Sequence, residues 1–251
     1  MYHFFVEENR IIDNKIYVNG ADYNHIKNVI RLKCGDEVLI STKTSDNVPP
    51  ENYMCSLCSY TEQEAVFDIV KSKVESNELP CHVILYQGLP KADKLELIIQ
   101  KAVELGVSEI VPVAMKRCVV KLDEKKAQAK LTRWNAISES AAKQSKRSII
   151  PKVRSVLTYK QAIAEAAGCD MALVPYENEA GMAATRELVS GIMPGSRVAV
   201  FIGPEGGFEE DEIELARSNG MHTITLGKRI LRTETAGMAL LSMLAYALED
   251  Y

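Results

Sequence analysis

No apolar run in the 251 residues is long enough to cross a bilayer as a helix, so no membrane partner is expected. The opening, MYHFFVEENRIIDNK, lacks the basic stretch of an export signal and carries acids in its place. Cysteine is sparse: Cys34, Cys55, Cys58, Cys81, Cys118 and Cys169 are all there is. In a chain of this length they do not form a disulfide framework, and a reducing cytoplasm is the expected location. CSLC (Cys55 to Cys58) has the spacing of half a zinc site, but no second Cys or His pair exists to close one. Two small buried or turn residues is the better reading, and no metal is expected. There is no internal repeat, no low-complexity tract, no G-x-G-x-x-G after a first strand and no phosphate-loop Lys-Ser/Thr.

What is present fits a globular protein of one large or two ordinary domains, with 47% hydrophobic and 25% charged residues. The net charge of −4 argues against a blanket nucleic-acid binder, but the charge is unevenly placed. Residues 114–154 carry twelve Lys and Arg against three Asp and Glu, and residues 155–251 carry seven against fourteen. That asymmetry suggests a basic face turned toward a polyanion, with a solvated helix face as the alternative. Trp134 and Gln144, set among the basic residues, tilt the reading toward RNA.

Residues 1–72 read as short strands broken by turns, among them KIYVNG (15–20), DEVLIST (36–42) and EAVFDIV (64–70). SDNVPPEN (45–52) is turn chemistry. DYNHIKNVIRLK reads as one short helix closed by Gly35, with His25 half-buried on it. The polar KSKVESNELP (71–80) is the linker, and a second domain is expected over 73–251. There, nearly all-apolar runs at 82–87, 109–114, 170–176, 197–203 and 222–227 alternate with helical patterns. That is an α/β domain with a parallel sheet covered on both faces. ADKLELIIQKAVELG is an amphipathic helix stopped by Gly106, and EEDEIELARSNG starts with acids and ends at Gly220. A last helix is expected near 234–249.

Ligands in such sheets bind beyond the carboxyl ends of the strands. FIGPEGGFEEDE (201–212) sits at one such end, and LGKRILRTETAG (226–237) follows the next strand. Glycines 203, 206 and 207 let a ligand approach the backbone. A lone glycine loop reads best as a tight turn. Two in succession, the second with Arg229, Arg232 and Glu234, read better as the walls of one pocket.

GPEGG followed by RILRTETA resembles the carboxyl-terminal cofactor motifs of the SPOUT methyltransferases. Within them the chain is similar to the RsmE family, the 16S rRNA (uracil-N3) methyltransferases. NHIKNVIRLKCGDEV (24–38), LPKADKLELIIQKAVELGVSEIVPV and RWNAISESAAKQSKRSIIP (133–151) extend the likeness over essentially the whole chain. The resemblance implies a mostly parallel α/β sheet with a carboxyl-terminal trefoil knot, where composition alone implies an ordinary doubly wound sheet. It also implies an amino-terminal PUA-like β-barrel, a homodimer through the knotted domain, S-adenosylmethionine as cofactor and small-subunit ribosomal RNA as substrate.

Carried onto this sequence, the cofactor would be surrounded by Ile202, Gly203, Pro204, Glu205, Gly206 and Gly207 of the first loop. Leu226, Gly227, Ile230 and Leu231 of the second loop would contact the base, with Thr233 and Ala236 behind them. Pro175 and Tyr176 end a neighbouring strand and would line the same pocket, Glu177 beside them. Arg232 is the candidate to stabilise developing negative charge on the uracil. Glu234 or Glu205 is the candidate to accept the N3 proton or to hold the arginine, and Glu234 reads equally well as a helix N-terminal acid. Candidate RNA contacts are Arg10, Arg31, Lys116, Arg117, Arg133, Gln144 and Arg147. Rival readings are a nucleotide-dependent α/β enzyme, a non-catalytic RNA-binding protein, and a methyltransferase of this kind acting on a different nucleotide.

Overall fold

The computed structural model describes residues 1–43, 50–122, 124–179 and 181–249, so most of the expected turn at 45–52 lies outside the described residues. The chain divides into two compact units. The first comprises 1–78 together with 142–150, and the second 79–141 together with 151–251. The short segment 142–150 thus leaves the expected second domain and packs with the first.

The first unit is a six-stranded sheet. Its strands are β1 (Tyr2–Val6), β2 (Ile11–Ile12), β3 (Lys15–Asn19), β4 (Glu37–Thr42), β5 (Asn52–Tyr60) and β6 (Glu64–Lys71), in the order β1-β4-β5-β6-β3-β2. Only β1 and β4 run parallel. Alternate residues of the strands fill one core: Phe4 and Val6, Ile16 and Val18, Val38 and Ile40, Cys55 and Leu57, Ala65 and Phe67. This is the period of two that a sheet buried on one face requires. It also settles CSLC, because Cys55 is buried in β5 and Cys58 is exposed, so the two thiols do not share a face. Burial pushes the Cys55 thiol up to about 12. Among the described residues no His, Cys, Asp and Glu group has the makings of a metal site.

The expected helix after β3 is a short α1 (Gly20–Asn24) that widens into a π-helical turn at His25–Ile30. It stops at Arg31, which is left-handed at φ 59°, rather than at Gly35. His25 is exposed rather than half-buried.

Within this unit Glu78 organises the 142–150 segment. Its carboxylate accepts bonds from Arg147 Nε at 2.8 Å, from Arg147 Nη2, and from the backbone N–H groups of Ser148 (2.7 Å) and Ile149 (3.2 Å). Arg147 is only 3% exposed. Its guanidinium is an internal strut, which corrects its placement among the RNA contacts. Ser148 also accepts from Asn52, and Lys143 pairs with Asp22 at 2.9 Å.

The second unit is a parallel sheet. Its strands are β7 (His82–Gly88), β8 (Glu109–Ala114), β9 (Lys152–Val153), β10 (Leu157–Thr158), β11 (Met171–Pro175), β12 (Arg197–Ile202) and β13 (His222–Ile224). The order is β10-β8-β7-β12-β11-β13, with β9 on β8. The helices are α2 (Lys94–Glu104), α3 (Glu124–Ser145, whose last residues belong to the first unit), α4 (Tyr159–Ala166), α5 (Met182–Ser190), α6 (Glu210–Ser218) and α7 (Thr233–Leu248). Helix α2 ends as the sequence suggests: Gly106 takes φ +92° and Val107 N–H returns to Ala102 O at 3.0 Å. Tyr86 and Phe201 stack at 4.5 Å on the central strands, with Tyr159 edge-on to Phe201.

Trp134 is 2% exposed in α3, with Lys130 6.0 Å from its ring. It serves packing, not RNA stacking. No helix among the described residues is long and apolar enough to cross a membrane.

The arrangement around Glu78 yields a prediction. Glu78→Ala leaves a buried guanidinium without its carboxylate, which costs about 3 kcal/mol. Urea denaturation measures this directly, and a loss below about 1 kcal/mol, the range of an exposed pair, contradicts the strut.

Candidate active site

The strand order places β7 between β8, its successor, and β12, with β11 and β13 beyond β12. A cavity of about 450 Å³ opens at the carboxyl ends of β11, β12 and β13, where ligands of such sheets bind. Its walls are the exits of β11 (Pro175, Tyr176, Glu177), of β12 (Ile202 through Phe208) and of β13 (Thr225 through Thr233), with Ala236 on α7. All fourteen residues proposed from the sequence to hold a cofactor line it, as does Arg232. Glu234 does not. Lys94, at the start of α2, lines the cavity and was not foreseen.

The first loop is held from several sides. Gly88 ends β7 so close to it that a Cβ there would lie 2.7 Å from the Pro204 backbone nitrogen and 3.0 Å from Met115 Sδ. Thr233 Oγ1 donates to Gly203 O at 2.6 Å and accepts from Gln87 Nε2 at 2.9 Å. One hydroxyl thus joins β7, the first loop and the start of α7. The Gln87 side chain is fully buried, and its Oε1 has no hydrogen-bond donor among the described residues.

Arg117 reaches over the loop to Gly206 O at 2.7 Å and pairs with Glu209 at 2.9 Å. A Cβ on Gly206 would meet the Arg117 side chain at 3.0 Å, so this glycine makes room for a brace as well as for any ligand. Lys116 pairs with Asp211, and its N–H donates to Glu212 at 3.0 Å. Glu209 and Glu212 form the capping box of α6. Three of the four acids after GPEGG, Glu209, Asp211 and Glu212, thus build the loop exit, and Glu210 is exposed.

Glu205 is pinned too. Its carboxylate accepts the Lys91 N–H at 3.0 and 3.3 Å and pairs with Lys94 Nζ at 3.1 Å. Burial acts to raise its pKa, but its own N–H, the Lys91 N–H and the Lys94 ammonium outweigh burial and hold it below the ordinary carboxylate range. Glu234 Oε2 is enclosed, without a hydrogen bond, 3.5 Å from the same ammonium.

The cations of the second loop are different. Lys228, Arg229 and Arg232 are exposed at the cavity rim, and no side-chain hydrogen bond or ion pair engages them among the described residues. Ile230, which also lines the cavity, is 86% exposed.

Of the remaining RNA candidates, Arg133 is exposed but bound to Glu96 at 2.6 Å. Arg10 is half-buried against Tyr17 O and Glu64. Arg31 and Gln144 are exposed.

Residues 77–245 match the model of the RNA methyltransferase domain. Ribosomal RNA small subunit methyltransferase E of Bacillus subtilis is 37% identical, over 92% of this chain and 90% of that protein. The chain belongs to the ribosomal RNA small subunit methyltransferase E family. Another member, from Mesomycoplasma hyopneumoniae, is 34% identical over 96% of this chain and 98% of its own. Among solved structures, the family's Neisseria gonorrhoeae enzyme bound to S-adenosylmethionine superposes with a TM-score of 0.81 at 30% identity, covering 96% of this chain and 95% of that one.

Gly88 and Gly206 make different demands. Gly88→Ala sets a Cβ against backbone and costs about 2 kcal/mol, whereas Gly206→Ala displaces only an exposed arginine and costs under about 1 kcal/mol. Paired urea titrations test this ranking, and equal costs contradict the close approach at Gly88.

Proposed function

We propose that this chain transfers a methyl group from S-adenosylmethionine to N3 of a uridine in small-subunit ribosomal RNA. The observation that carries the reading is a nucleoside-sized cavity walled by two motif loops, with Arg232, unpaired among the described residues, at its rim. Family membership and the cofactor bound to the Neisseria enzyme support it. The residues suit such a cofactor. Gly207 (φ +71°) and Gly227 (φ +109°) have almost nothing where a side chain would stand, so the backbone there is open to close approach. The cofactor would supply an electrophilic methyl carbon on a sulfonium.

The protein's part is alignment and charge. Gly203 to Gly207 and Leu226 to Leu231 hold the donor, which aligns an in-line displacement. Uracil N3 attacks as its anion, and Arg232, always cationic, stabilises that negative charge. Glu205 is held by the Lys91 N–H and the Lys94 ammonium, which leaves it poorly placed to take a proton, and Glu234 faces Lys94 outside the cavity lining. Both carboxylates hold the loops, and the N3 proton passes to water at the open rim.

A carboxyl-terminal trefoil knot belongs to the same reading. Its support is the approach of Gly88 to Pro204 and the Gln87–Thr233–Gly203 chain, which bring three distant segments within bonding distance. The single-core, mainly antiparallel sheet of the first unit supports a PUA-like RNA-holding role, with Arg10, Arg31 and Gln144 as its candidate contacts. Exposed Leu97 on α2 and Tyr246 on α7, two helices that pack together, support a homodimer through this domain. The cytoplasm is the compartment where ribosomal RNA and reduced thiols coexist.

Arg232→Ala is expected to bind S-adenosylmethionine normally while its turnover on ribosomal RNA falls about a hundredfold. Near-normal turnover removes Arg232 from the mechanism. Mass mapping of ribosomal RNA from cells lacking the protein, with and without add-back, should show one uridine losing and regaining a methyl at N3. A methyl lost from another base or another RNA selects a different acceptor.

A further inference from the structure

The cavity has one lining residue that comes from neither loop, nor from the β11 exit, nor from α7. That residue is Lys94, at the first position of α2. Its ammonium lies 3.1 Å from Glu205 of the first loop and 3.5 Å from Glu234, two residues beyond Arg232 in the second motif. The side chain is 32% exposed, Glu205 27% and Glu234 16%, so the three charges meet in a partly enclosed place where Coulomb attraction is stronger than in open water. The backbone adds to the tie, because Lys91, three residues before Lys94, gives its N–H to both oxygens of Glu205.

We propose that Lys94 is a positioning residue, whose single charge holds the two motif loops at the spacing the cofactor needs. The proposal rests on the methyl-transfer reading of the cavity. Without the ammonium, Glu205 and Glu234 would face each other as like charges with nothing between them, and the loops that carry them would move apart. Glu205 is also fastened by Lys91, so the larger displacement falls on Glu234 and hence on Arg232 and the rim. The pairing keeps the ammonium protonated, through Glu205 first and Glu234 second.

The test is calorimetry with two probes, S-adenosylmethionine and its neutral thioether product S-adenosylhomocysteine, on the full chain. Lys94→Met keeps the aliphatic stem and removes the charge, and should weaken binding of both probes about tenfold. Lys94→Arg should stay within about threefold of the parent protein. In a Glu234→Gln background the effect of Lys94→Met should shrink to less than about threefold, because one of the two repelling carboxylates is gone. In steady state the KM for S-adenosylmethionine rises in Lys94→Met and kcat falls with it, because Arg232 is displaced along with Glu234, and Lys94→Arg restores both. If the Met variant does not fold, Lys94→Gln is measured in the same way.

Unchanged affinity in Lys94→Met, or an equal loss with and without Glu234→Gln, overturns the proposal, the second result because it assigns the effect to packing of the stem. Failure of the parent protein to bind either probe instead overturns the methyl-transfer reading itself.

Discussion

The close crossing at the end of β7 is the constraint on which the site depends. Gly88 has no side chain because Pro204 of the first loop occupies the space where a Cβ would be. Beside it, the Thr233 hydroxyl donates to Gly203 O and accepts from the buried Gln87 amide. Two loops, joined at residues 30 apart in sequence, are thereby fixed to one strand end by contacts of atomic length. Those contacts require a residue without a Cβ at one point and a short hydroxyl at another.

Charge in the second unit sorts into two groups around that crossing. Lys116, Arg117, Arg133 and Lys94 each have a carboxylate partner, and the partners of three of them lie in or next to the loops. Lys94, Lys116 and Arg117 brace the loops. Lys228, Arg229 and Arg232 have no such partner among the described residues and stand at its rim. Exposed ion pairs contribute little stability individually, so the pairing of the first group is better understood as fixing loop geometry. In the proposed reading, this group at the cavity rim is what meets an anionic substrate or a developing negative charge.

The sequence showed much of this and hid the rest for physical reasons. Apolar strand runs alternating with amphipathic helices made the parallel sheet legible, and helix stops at Gly106 and Gly220 were visible because both take positive φ. The two loops stood out because glycines and charges there interrupt apolar runs. Strand β5 went unread because CSLC invites a metal or turn reading, while the alternation of Cys55 and Leu57 inward is plain only once the register with β4 and β6 is known. Trp134 and Arg147 looked like RNA contacts because they sit in a basic stretch. Linear charge density does not reveal which face of a helix is buried, nor that Glu78 waits for the guanidinium. Lys94 was missed for the converse reason, since a lysine in KADK looks like an ordinary solvated charge until folding brings Glu205 and Glu234 to it.

The most direct measurement is the crystal structure of this protein grown with S-adenosylmethionine. The cofactor should lie in the cavity between residues 202–208 and 225–233, with its methyl carbon facing the rim where Arg232 stands. Density for it at any other place on the molecule, or a cavity that remains empty at saturating cofactor, contradicts the assignment of these two loops as the methyl-donor site.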